Sequence, residues 1–252
     1  MKIRFLYHAE AVAATGRITL PFDETMEIQA SAALAINGGH GCARVEKFRH
    51  RNIFGFEAAE SHVVGSYSEG DKAHGTLSSV VIEGLNILDV VTCDRVVLRL
   101  TSKHDDSGGE PSFVLLGSRF ENLRIAGHRF DPDLATDTFT EYSTWTKLTE
   151  GYAKQSVRSD IDKLKMIPDQ NGLTGKSGTF GCTLVRNLDS LPSGLTRRDH
   201  GIYVPHFGTV YLGELFVGPR SRRLMMMHVD LGCSVEGCYG IGSGSGNGDG
   251  YP

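Results

Sequence analysis

Three groups of residues have types and spacing that could do chemistry. In DHGIYVPHFG, Asp199, His200 and His206 lie close together. Two histidines six apart on a strand point the same way, so with a carboxylate they could hold a metal ion of the kind that serves a metal-dependent hydrolase. Loop histidines without a ligand role are the simpler reading, and no metal or other cofactor is expected. In GLTGKSGTFG, residues 172–181, the Gly-Lys-Ser triplet is that of a phosphate-binding loop. Such a loop needs Gly where Gln170 stands, with a buried strand before it and a helix after; a strand-like TFGCTLV follows instead, so nucleotide binding is rejected. The third group is GCSVEGCYGIGSGSGNGDGYP, residues 232–252. Cys233 and Cys238 have no second pair at zinc-ribbon spacing, and the glycine run matches a calcium turn only loosely, so a flexible tail is expected.

Other signatures are missing or bland. There is no G-x-S-x-G elbow, no H-E-x-x-H and no G-x-G-x-x-G after a strand. His104-Asp105-Asp106, Gly39-His40-Gly41-Cys42 and the aspartates Asp131 and Asp133 around Pro132 read as turns. Apolar residues make up 40% of the 252, charged residues 22%, and the formal net charge is −4. That balance carries no footprint for nucleic acid, and Arg220, Arg222 and Arg223 are too few to supply one. No stretch is long and apolar enough for a signal peptide or a membrane span, which points to the cytoplasm for the chain as written. Five scattered cysteines suit buried free thiols better than a disulfide framework.

The elements that must position these residues are strands. Ile3, Phe5 and Tyr7 alternate with Lys2, Arg4 and His8. Ile28, Ala30, Ala32, Leu34 and Ile36 alternate with polar residues, as do Val96, Leu98 and Leu100. Met225, Met227, Val229 and Leu231 read as one strand face. Between residues 138 and 167 the period changes: Tyr142, Trp145, Leu148 and Tyr152 recur at helical spacing, and Ile161, Leu164 and Met166 form a second short segment that Pro168 ends.

A motif recurs along these strands. Val45-Glu46-Lys47-Phe48, Ile82-Glu83-Gly84-Leu85 and Phe120-Glu121-Asn122-Leu123 share an apolar-Glu-x-apolar core, and GTVYLGELFV, residues 208–217, resembles them. A spacing of three then two does not fit a regular strand but does fit one with a bulge. If the units stack, Glu46, Glu83 and Glu121 could form a ladder for a cation or a basic partner. With Arg44, Lys47, Arg119 and Arg124 close by, a solvated outer face is the simpler reading.

The runs SVVIEGLNILDVVTCDRVV, GSRFENLRIAGHRF and GIYVPHFGTVYLGELFVGPRSRRLMMMHVDL resemble the choice-of-anchor P type of bacterial surface protein, over about residues 60–131 and 200–231. The resemblance implies a β-rich exported domain with no catalytic residues to carry over. The missing signal peptide and the helical insertion depart from that pattern.

The expected architecture is mainly β: one bulged antiparallel β-sandwich or jelly-roll-like domain over residues 1–239, a helical insertion at 138–167, and a Gly-rich tail at 240–252. The expected role is non-enzymatic, structural or interactive, with a second copy or another protein as partner. The alternatives are a ligand-binding module, for carbohydrate with Trp145 as a platform, and the metal-dependent hydrolase.

Overall fold

The computed structural model describes residues 4–106, 109–153 and 180–251. Among the described residues, sixteen strands form two antiparallel sheets that pack face to face, accompanied by two short helices. The first sheet contains β1 (Arg4–Leu20), β2 (Glu24–Ala33), β11 (Phe180–Thr183), β12 (Thr196–Arg198), β13 (Gly201–Val204), β14 (Gly208–Val217), β15 (Arg222–Gly232) and β16 (Glu236–Tyr251). Its order is β12-β13-β14-β15-β16-β1-β2, and β11 also pairs with β14. The second sheet contains β3 (Gly39–His50), β4 (Phe54–Ser68), β5 (Ala73–Ile87), β6 (Val91–Asp105), β7 (Ser112–Val114), β8 (Arg119–Glu121), β9 (Arg124–Ile125) and β10 (His128–Arg129). Its order is β10-β9-β6-β5-β4-β3, with β7 and β8 also on β6. One apolar core fills the space between the sheets. No helix among the described residues is long and apolar enough to cross a membrane.

The Gly-rich run is where expectation and structure part most clearly. It is no tail: β16 lies inside the first sheet, paired with β15 on one side and with β1 on the other. Its alternation explains why. Gly244, Gly246 and Gly248 face inward, opposite Ala11, Ala9 and Tyr7, while Ser243, Ser245 and Asn247 face out. A Cβ at Gly244 would stand 2.6 Å from Leu98 Cδ2 and 3.2 Å from Ser78 Cβ, both in the second sheet. Bare glycine lets the sheets close until Ser78 Oγ donates to the Ser245 carbonyl oxygen at 2.6 Å. Farther along the strand the gap is filled by Tyr239, which stacks on Phe54 at 4.9 Å and bonds to His50 Nδ1 at 2.9 Å.

The expected bulges are present, and they are aligned. Lys47, Gly84 and Asn122 have φ of 53°, 65° and 53°, each just after the motif glutamate. The ladder skips Lys47 and Glu57 between β3 and β4, Glu57 and Gly84 between β4 and β5, and Gly84 and Asp94 between β5 and β6. The buried set on β5 therefore changes from Val80 and Ile82 to Leu85 and Ile87. The first sheet has an equivalent row. The ladder skips Gly213, Met226, Gly242, Ala13 and Ala30 in neighbouring strands, with φ of 61° at Gly213, 62° at Gly242 and 44° at Ala30. Each strand inserts one residue at the same level, so side chains change face while pairing keeps its register.

These rows correct two expected strand faces. Met225 does not share a face with Met227: Met226 and Met227 are both buried, and Met225 turns outward. Ile28 is not inward either. A register shift between Ala14 and Gly16 leaves it 61% exposed and buries Gln29, whose Nε2 donates to the Glu27 carbonyl oxygen.

The helical expectation covers 138–167, of which 154–167, including Ile161, Leu164 and Met166, lies outside the described residues. Within them, α1 (Thr138–Glu141) and α2 (Trp145–Ala153) are separate helices that bury Phe139 and Leu148. Phe139 packs between Phe113 of β7 and Phe180 of β11, closing one end of the core. Buried Arg222 reinforces this end, donating to the Pro111 carbonyl oxygen at 2.9 Å while lying over Phe113.

Gly244→Val places a branched side chain against Leu98 and should destabilise by about 2–3 kcal/mol, whereas Ser245→Val, on the outer face, should stay within about 0.5 kcal/mol. Urea unfolding midpoints check both. A chain stopped after Gly240 leaves much of β15 and β1 unpaired and should lose its cooperative transition; a retained one would show that the strand is dispensable.

Candidate functional site

The residues most able to do chemistry meet on the outer face of the first sheet. The aligned bulge turns Tyr211 and Glu214 of β14 to the same side, although they are three positions apart. Pairing with β15 sets Tyr211 opposite His228 and Thr209 opposite Asp230. The turn before β13 delivers His200. The result is a chain of ionisable groups: His200 Nε2 to Glu214 Oε1 at 3.0 Å, Glu214 Oε2 to His228 Nδ1 at 3.6 Å, and His228 Nε2 to Asp230 Oδ1 at 3.0 Å. The Tyr211 ring lies against both imidazoles, 4.7 Å from His200 and 5.2 Å from His228.

Burial pushes the Glu214 carboxyl up, but hydrogen bonding to His200 and His228 and the charge of His228 outweigh it and bring it down to about 2. Burial pushes His228 down, and its bonds to Asp230 and Glu214 outweigh that, raising it to about 10. A carboxylate only accepts, so His200 carries its proton on Nε2; its buried Nδ1 has no partner among the described residues. The cluster is a closed ionic network, with Glu214 and His200 both buried.

The candidate metal ligands do not assemble. Asp199 and His206 are exposed turn residues with φ of 53° and 60°, in the turns at opposite ends of β13, and only His200 between them turns inward. Aspartate and histidine are among the residues that tolerate the left-handed region, which accounts for their place in these turns. Among the described residues no group of three or more His, Cys, Asp or Glu is arranged to hold a metal ion. The three glutamates do not form a ladder. Ala58 lies between Glu46 and Glu83, and Arg95 lies between Glu83 and Glu121. Each pairs with an arginine: Glu46 with Arg44 at 2.8 Å, Glu83 with Arg95 at 3.8 Å, Glu121 with Arg119 at 2.7 Å. Trp145 is half-buried, packed against the core. The five cysteines are free, but only Cys93 and Cys182 are buried, since Cys42 and Cys238 fall on outward positions of their strands.

Beside the ionic network lies a groove of about 590 Å³. Ser243, Ser245 and Asn247 of β16 make its low floor, His8, Glu10 and Val12 of β1 one wall, and Phe216, Arg223 and Met225 the other. The floor is low because the outward residues of the Gly-rich strand are small. The sequence gives little sign of this site, because the glycines of β16 argue against a strand.

Fold and face together define a two-sheet β-sandwich with an open groove across the middle of one sheet. The chain belongs to the family described as a domain of unknown function, DUF8256, which matches residues 5–177, more than half of its length. No curated protein and no solved structure matches it. The matched range runs from β1 past α2, whereas the ionic network and most of the groove come from the strands beyond it.

His228→Gln should destabilise by about 1–3 kcal/mol by leaving Glu214 short of a cationic partner. The His228 contribution is fully present below pH 6.5 and lost as pH rises through about 10; that of Glu214 is present above pH 4.5 and lost as pH falls through about 2. The gap between variant and wild type should therefore be widest from pH 4.5 to 6.5 and close toward pH 10. Urea unfolding across that range checks it.

Proposed function

We propose that this protein is a non-enzymatic interaction module that works through the outer face of its first sheet. The observation that carries the reading is the groove over β15, β16 and β1, a concave surface with hydroxyl, amide and charged side chains along its length. The neighbouring acid–base groups favour a structural part over a catalytic one, because Glu214 is held by two histidines and His228 by two carboxylates. A β-rich domain with no catalytic residues to carry over is also what the resemblance to choice-of-anchor P surface proteins implies. In a titration of isotope-labelled protein with a panel of oligosaccharides and short peptides, amide shifts should concentrate at residues 8–15, 221–225 and 240–247, with every compound recovered unchanged. Shifts centred elsewhere, or turnover of a bound compound, would overturn the reading.

A second reading, self-association, is favoured by exposed apolar side chains at the β2 edge. Leu20, Phe22 and Ile28 are 50%, 42% and 61% exposed, and β2 itself carries no lysine or arginine. Light scattering should give a multiple of the 27.4 kDa chain mass that Ile28→Asp reduces to the monomer; a monomeric wild type removes this reading.

A further inference from the structure

We infer that the groove takes an acidic oligosaccharide, a chain of sugar rings bearing carboxylates. This rests on the groove being the binding face. Arg223 supplies the anionic preference. It is exposed on one wall, and among the described residues its only side-chain hydrogen bond is from Nε to Ser243 Oγ at 3.4 Å and no carboxylate lies within ion-pair distance. Most other exposed arginines are already matched: Arg17 to Asp23, Arg44 to Glu46, Arg51 to Glu24, Arg119 to Glu121. A guanidinium left open beside a concave surface is suited to bidentate binding of a carboxylate.

The polar side chains among the remaining lining suit hydroxyl groups. Ser243, Ser245, Asn247 and Thr15 donate and accept, and the Glu10 carboxylate on the far wall accepts from sugar hydroxyls. The register sets Arg223, Ser245 and Glu10 in one row across the strands, so a ring spanning the groove meets cation, hydroxyl and carboxylate in turn. Phe216 and Met225 add apolar surface for the ring C–H groups. A peptide fits less well. Peptides that dock on sheets commonly draw affinity from free backbone groups at an edge, and β16 is paired on both sides.

The test is isothermal titration of the full chain with tetragalacturonate, maltotetraose and a tetraglutamate peptide, for wild type, Arg223→Gln, Ser245→Val and Arg124→Gln. Arg124 is an exposed arginine of the second sheet and serves as the control. Tetragalacturonate should bind at least tenfold tighter than the other two. Arg223→Gln and Ser245→Val should each weaken it at least tenfold, and Arg124→Gln should leave it unchanged, with thermal midpoints confirming that all variants fold. No binding of tetragalacturonate overturns the inference, as does a tetraglutamate affinity equal to it. Equal affinity for maltotetraose, lost in Ser245→Val but kept in Arg223→Gln, overturns the acidic class and leaves the groove as the binding face. Tetragalacturonate binding that ignores both groove variants overturns the inference and the groove reading together.

Discussion

Strands that share a sheet must keep step, and one inserted residue sends every later side chain to the opposite face. This protein inserts a residue in neighbouring strands at the same level in both sheets, so the insertion never becomes a slip. The left-handed positions fall on alternate strands: β2, β14 and β16 in the first sheet, β3 and β5 and the residue after β8 in the second. Glycine takes this conformation freely at residues 84, 213 and 242, and Asn122 tolerates it, donating to Asp94 at 2.8 Å. Ala30 and Lys47 adopt it at a cost that the surrounding ladder must offset. The candidate site depends on this device. Were alternation regular through Gly213 and Met226, Glu214 would face the core and Met225 would not line the groove.

The Gly-rich strand shows how one dipeptide pattern can shape both faces of a sheet. Inward glycines remove the side chains that would hold the two sheets apart. Outward serines and asparagine keep the opposite surface low between taller walls. A central strand of valine and isoleucine would have higher strand propensity, but it would separate the sheets and fill the groove. Pairing on both sides supplies the hydrogen bonds that compensate for glycine's conformational entropy.

Much of this architecture was legible. Alternation at Phe5 and Tyr7 and at Val96, Leu98 and Leu100 indicated strands, and the three-then-two spacing at Phe48, Leu85 and Leu123 indicated bulges. What stayed hidden depends on pairing between distant segments. Glu214 sits in an apolar strand, and nothing local says that His200 and His228 will flank it. Polar residues at His228 and Asp230, two apart on one strand, were the available signal. Residues 243–248 read as a tail because glycine argues against strand, yet their strict period of two was itself a strand signature. Ile28 gives no such signal, because Ile28, Ala30 and Ala32 keep a period of two straight through the register shift.

The partners of β1 lie at opposite extremes of sequence separation. Ala11 pairs with Ala32 on one side and with Gly244 on the other. A chain emerging from the ribosome can form the β1–β2 hairpin at once, but the first sheet stays open beside β1 until β16 has been made. The exposed edge must meanwhile be kept from pairing with other chains, and closing it brings together the most distant contacts in the protein. Such topologies fold slowly, because loop entropy is lost before the contacts that reward it can form. The small side chains of Ala9 and Ala11, which let the finished sheets approach, also make that waiting strand a weak hydrophobic trap.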